Sequence, residues 1–216
     1  MIKKITLSII LFALFTAKLH ALIEVDITRG NLDPLPVAVS PLSADKNTND
    51  KLSKELKIEK IGHKISEVVE NNLKNSGLFN PLNKDAFLQK PDIAHLKPRF
   101  EDWSLIKAQA LITGKVTLND EKLRVEFRLW DVLAGKEMMA LAFTTVPSNW
   151  RRVGHIITDK VYERLTGEKG YFDTRIIYVA EEGPKTQRIK KLAIMDQDGA
   201  NNKFLTLGNE LVLTPR

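Results

Sequence analysis

Two stretches of this 216-residue chain carry side chains whose types and spacing could do chemistry. One is Asp196-Gln197-Asp198-Gly199, two carboxylates one residue apart ahead of a glycine, which is how a calcium loop begins. Such a loop also needs a bidentate Glu at its twelfth position. Counted from Asp196, that position is Leu207, so the segment reads as a tight Asp-Gly hairpin turn. The other stretch surrounds the histidines. His63 and His155 fall on two different helical patterns, and His95 precedes a proline region. No His-Glu-x-x-His spacing is present, so a metal centre would have to assemble from distant parts of the chain. The expectation is therefore no metal site, with histidines at the surface or partly buried.

Nucleophiles are equally sparse. The chain has no cysteine, which excludes disulfides, thiolate metal ligands and cysteine catalysis. There is no Gly-x-Ser-x-Gly elbow and no glycine-rich phosphate loop; Thr113-Gly114-Lys115 alone does not make one. Glu181-Glu182 sits in a polar segment, and Arg151-Arg152 reads as a solvated helix face. The sequence thus predicts no catalytic residues and no cofactor, and points to a binding protein.

The elements that would position these residues follow from periodicity. Leu35–Val39 reads as a strand closed by Pro41, and residues 43–50 as a polar loop. From Ser53 a helix is expected, with Ile58, Ile61, Ile65, Val68, Val69 and Leu73 on one stripe and Gly77 ending it. Leu78–Leu82 looks extended, and Glu101–Gln109 reads as a short helix carrying Trp103 and Ile106. Ala110–Leu118, Leu123–Asp131 and Glu137–Val146 are separated by Asn119-Asp120 and Ala134-Gly135, the pattern of an antiparallel meander. Ser148 or Asn149 could cap a second long helix with Val153, Ile156, Ile157, Val161 and Leu165 inward and Gly167 at its end. The fold class is α/β: a mixed sheet with two main helices on one face. After Gly170 the pattern changes to short strands, Thr174–Ala180, Lys190–Met195 and Lys203–Leu207, without helices.

The N-terminus has its own logic. Lys3 and Lys4 precede an apolar run from Ile5 to Ala17, too short to span a bilayer but right for a secretory signal peptide. Cleavage is expected after Ala21. The formal net charge of +6 then falls by about half, because Lys3, Lys4 and Lys18 leave and no acid does. That balance, without a basic stripe, gives no reason to expect nucleic acid. Directly behind the cut, Ile23, Val25 and Ile27 alternate with Glu24, Asp26 and Thr28, followed by Arg29 and Gly30. This is the pattern of a half-buried strand, either an edge strand of the domain or one that a partner captures by β-augmentation.

Taken together, these segments resemble the TolB family, the periplasmic component of the Tol-Pal envelope system. The likeness is carried, in order, by IEVDITRG (23–30), LPVAVSPL (35–42), NNLKNSGLFNPL (71–82), LITGKVTL (111–118), VEFRLWDVLAGK (125–136), TGEKGYFDTRIIYV (166–179) and KLAIMDQDGANNKFLT (191–206). The resemblance implies a domain plan of signal peptide 1–21, partner-binding strand 22–34, α/β domain 35–170 and the start of a β-propeller over 171–216. It implies that Ile23, Glu24, Val25, Asp26, Ile27, Thr28, Arg29 and Gly30 bind TolA. It also implies that Pal binds through the propeller, and that the protein maintains envelope integrity and supports outer-membrane constriction during division. A propeller needs about 4–8 blades of four strands, and residues 171–216 supply about three strands of one. The chain is accordingly expected to be a fragment or a truncated gene product. Two alternatives stay open on sequence: the N-terminal part of a propeller-bearing periplasmic hydrolase, and a non-functional product.

Overall fold

The computed structural model describes residues 33–44, 57–119 and 121–208. The elements in chain order are β1 (Leu35–Val39), β2 (Ser43–Ala44), α1 (Ile58–Asn75), β3 (Phe79–Pro81), α2 (Pro91–Ala94), α3 (Phe100–Leu105), β4 (Ala110–Asn119), β5 (Lys122–Asp131), β6 (Lys136–Thr145), α4 (Trp150–Thr166), β7 (Arg175–Glu182), β8 (Ile189–Asp196) and β9 (Lys203–Phe204). Two sheets result. The larger is ordered β3-β1-β4-β5-β6, with β2 also paired to β4; the smaller is ordered β7-β8-β9.

The larger sheet is mixed, as the sequence predicts. β1 runs parallel to β3 and β4, while β4, β5 and β6 form the antiparallel meander. The strict alternation in β5 places Leu123, Val125, Phe127 and Leu129 inside and leaves Arg124 exposed. The two long helices cover this face. Ile65, Val69 and Leu73 of α1 meet Val153, Ile157, Val161 and Leu165 of α4 over Val37, Val39 and Ile112. Each such fully buried aliphatic side chain contributes about 1.5–3 kcal/mol by leaving water. The helices approach closely because Gly154 carries no side chain: a Cβ there would lie 2.8 Å from Val68 Cγ1. Ser66 fixes α1 to the chain before it, accepting from the Leu42 amide at 2.9 Å and donating to the Ser40 carbonyl at 3.2 Å.

Four expectations change. Ser43 and Ala44 leave the expected loop and form β2, because they pair in parallel with Lys115 and Val116 of β4. The helix expected over Glu101–Gln109 stops at Leu105. Lys107 takes a positive φ of 63°, and the Gln109 amide is drawn to the Pro36 carbonyl of the sheet. Neither Ser148 nor Asn149 caps α4 with its side chain; Pro147, with its fixed φ, starts a 3-10 turn over 147–149 that leads into the helix. Finally, helices lie on both faces of the sheet. Ala38, Leu111 and Trp130 point away from the two long helices and pack with Ala94 of α2 and Trp103 of α3.

The smaller sheet pairs β7 with β8 over eight register positions, Arg175↔Asp196 to Glu182↔Ile189. β9 is shorter than the expected Lys203–Leu207: Phe204 and Lys203 pair with Ala193 and Ile194 of β8, and beyond them the Leu205 amide donates to the Leu192 carbonyl at 2.7 Å. Among the described residues, no helix is long and apolar enough to cross a membrane.

Candidate functional site

The polar side chains that the sequence scattered converge at one place, where the β8–β9 turn meets α1 and α4. On α4, residues 151, 155, 158 and 159 share a face by their spacing of three and four. His155 and Thr158 on that face are buried against the last turns of α1. There Asn72 occupies a position on the inner face, between Val69 and Leu73. Its Nδ2 lies 2.9 Å from His155 Nδ1 and donates to Thr158 Oγ1 at 3.3 Å. Its Oδ1 accepts from Gln197 Nε2 at 2.9 Å. One buried asparagine therefore joins both long helices to the turn of the smaller sheet.

The turn itself is pinned from both sides. Asp198 accepts from the Ala200 amide at 3.1 Å and from the Arg151 guanidinium of α4. Asp196 accepts from Asn201 Nδ2 at 2.6 Å, and its Oδ1 stands 3.7 Å from Arg175 Nε. The linker between the sheets is strapped to the same helix. Asp159 accepts from the Phe172 and Asp173 amides at 2.7 and 3.1 Å, and Asp173 in turn receives Arg152 through both Nε and Nη2. The close strap explains Gly170, where a Cβ would fall 2.5 Å from Asp159 Cα. Between these groups lies a cleft of about 390 Å³, lined by Ser148, Arg151, Arg152, His155, Arg175 and Asp196 among others.

Electrostatics follow from burial and pairing. Burial lowers the His155 pKa; Asp198 pulls it up, and Arg151 pushes it down. Burial alone would raise the Asp198 carboxyl, but the Ala200 amide and Arg151 outweigh it and hold the group below its ordinary range. His155, Asp196 and Asp198 bring one possible ligand atom each to within 4.8 Å of one another.

Two sequence expectations are corrected here and a third is extended. Arg151 is half-buried and committed to Asp198 of the turn, whereas Arg152 stays on a solvated face, as expected, while pairing with Asp173 of the linker. His155 and His95 are fully buried, not at the surface or partly buried as expected, whereas His63 is exposed. The Asp-x-Asp turn is a hairpin turn, as expected, but it also docks on α4. The spacing of Arg151, His155 and Asp159 is the one signal that could have marked the face, although nothing local says what packs on it. The expected partner-binding residues, Ile23 to Gly30, lie outside the described residues.

Comparison with known proteins gives this geometry a family. The TolB amino-terminal domain matches residues 23–138, and the TolB beta propeller domain matches residues 162–216. This chain belongs to the TolB family. It is 81% identical over 207 residues to the Tol-Pal system protein TolB of Pelagibacter ubique (strain HTCC1062), a match that covers 96% of this chain and 46% of that protein. The chain thus spans about half the length of the curated relative it matches. The crystal structure of TolB from Acinetobacter baumannii shares its fold, with a TM-score of 0.64 at 23% identity over 85% of this chain and 41% of that one. The α/β assignment and the propeller start that the sequence implied both hold in this family.

Proposed function

We propose that this chain is a periplasmic, non-enzymatic binding component of the Tol-Pal system, delivered by the leader over residues 1–21. In this reading residues 35–170 are the α/β domain and 171 onward begins the propeller. Residues Ile23 to Gly30 are the strand that the C-terminal domain of TolA captures, and Pal is bound through the propeller. The linkage serves envelope integrity and outer-membrane constriction at division. The observation that carries the reading is the alternating segment IEVDITRG immediately behind the leader, at which the family match begins. Strand addition draws affinity from main-chain hydrogen bonds and specificity from alternate side chains, so Ile23, Val25 and Ile27 would be the anchors. Gly30 can adopt either sign of φ and serves as the joint.

The test is calorimetric titration of the C-terminal domain of TolA into the mature chain and into a version lacking residues 22–33. Deletion is expected to weaken binding by at least a hundredfold with an unchanged helical circular dichroism signal. Equal affinity of the two would overturn the assignment. Val25→Pro sharpens it: proline removes a ladder donor and should cost most of the affinity.

A further inference from the structure

We propose that His155, Asp196 and Asp198 form a binding site for a divalent transition-metal ion of the zinc class, bridging helix α4 to the β8–β9 turn. Three observations carry it. First, one ligand atom from each residue lies within 4.8 Å of the other two, although they come from separate elements. Second, the His155 side chain is only 3% exposed and its Nε2 has no hydrogen-bond partner, yet that atom faces Asp198 Oδ2 at 3.8 Å. This is too long for a hydrogen bond. It is close to the spacing of two ligands of one ion: with metal distances of about 2.0–2.2 Å, neighbouring tetrahedral ligands stand roughly 3.4 Å apart. Third, the cleft beside His155 and Asp196, about 390 Å³ in volume, gives an ion a route in and water a place to complete the coordination.

The donor set selects the class of ion. One imidazole and two carboxylates suit a borderline N/O metal such as zinc, whereas calcium takes oxygen ligands. Asn72 supplies the outer support that a metal-bound histidine needs. Metal on Nε2 places the proton on Nδ1, so Asn72 presents Oδ1 there and Gln197 presents Oε1 to Asn72 Nδ2. A paired turn of the two amides makes both contacts without moving the backbone, at the cost of the Asn72 Nδ2 bond to Thr158 Oγ1, whose own hydrogen goes to the Gly154 carbonyl. Arg151 is the competitor, since its guanidinium sits on the same Asp198 oxygen. Arg175 beside Asp196 acts in the same sense more weakly.

The full chain, freed of metal with a chelator, is titrated with Zn²⁺ by calorimetry and with Co²⁺ by visible absorption. One equivalent is expected to bind, with Co²⁺ bands of a low-coordinate N/O site. His155→Ala and the isosteric Asp196→Asn should each weaken binding at least tenfold, while His63→Ala, an exposed position on α1, leaves it unchanged. Arg151→Gln should tighten binding several-fold, an effect that a purely structural ion-pair network would not produce. Absence of stoichiometric uptake, equal affinity in the Asp196→Asn chain, or loss of binding with His63→Ala would each overturn the proposal.

Discussion

The two faces of the large sheet solve the same burial problem differently. The front face is covered by α1 and α4, eighteen and seventeen residues long, whose apolar stripes of Ile, Val and Leu interlock around Gly154. Among the described residues the back face has only the short helices α2 and α3, four and six residues long. It compensates with aromatic bulk. Trp103 packs edge-on to Phe87 at 5.0 Å between ring centroids, and Trp130 packs against Phe100 at 5.9 Å. Both indole N–H groups are satisfied, by Gln89 Oε1 and Thr113 Oγ1. Each face also buries one histidine. The front histidine, His155, is surrounded by amides and carboxylates, whereas the back histidine, His95, has neither ring nitrogen hydrogen-bonded. A face built from long helices spreads its energy over many small contributions; a face built from short ones concentrates it in a few large side chains.

The largest expected effect tests that concentration. Trp103→Ala removes the most voluminous fully buried side chain and strips Gln89 of its indole donor. It should cost about 3–5 kcal/mol in urea unfolding. Ile157→Ala on the front face should cost less, nearer the ~2 kcal/mol end of the range for aliphatic truncations. If the two costs are equal, the contrast between the faces does not hold. A smaller effect tests the front face from the opposite direction. Gly154→Val forces a side chain into the 2.8 Å gap to Val68 and should destabilise by about 1–3 kcal/mol through overpacking. Because the shift moves α4 relative to α1, it should also loosen the Asn72 contact to His155. That loosening would appear as faster exchange of the Phe172 and Asp173 amides, which α4 holds through Asp159.

The same contrast explains what could be read from the sequence. The front face was legible because its signals are local: the 3.6-residue stripe of Ile65, Val69 and Leu73 and the alternation of Leu123 to Leu129 appear without knowledge of any partner. The back face was not, because Ala38 and Leu111 belong to β1 and β4, which are buried on both sides so that the alternation disappears, and Trp130 lies at the end of β5, where three consecutive buried residues break it. The two-residue strand β2 exists only through its pairing with β4. At the candidate site, Asn72 interrupts an apolar stripe, and Arg151 and His155 share a helix face, so its components were visible. Their convergence depends on a turn more than forty residues further along, which periodicity does not encode. The strand Ile23–Gly30 was legible as alternation and as a family resemblance, and its role rests on the TolA titration above.

The smallest expected effect separates the two histidines by their surroundings. Burial first, then Arg128 and Lys115, lowers the pKa of His95, against a weaker upward pull from Glu126. The unfolded chain holds this histidine near its ordinary pKa of about 6.5. Above that pH both states are neutral at His95 and stability does not depend on it. As the pH falls below ~6.5, the unfolded state takes up a proton that the folded state declines, so stability falls with pH, by at most about 1.4 kcal/mol per unit from one such group. The melting temperature should therefore drop between pH 7.5 and pH 5.5. Replacing His95 by Leu forfeits no hydrogen bond, because neither ring nitrogen makes one. The variant should melt no lower than the parent at pH 7.5, and its drop toward pH 5.5 should be shallower. An unchanged drop would place the pH sensitivity elsewhere and would mean that the cations around His95 do not govern its protonation. A lower melting point at pH 7.5 would mean that the ring contributes packing that the aromatic side chains of this face do not already supply.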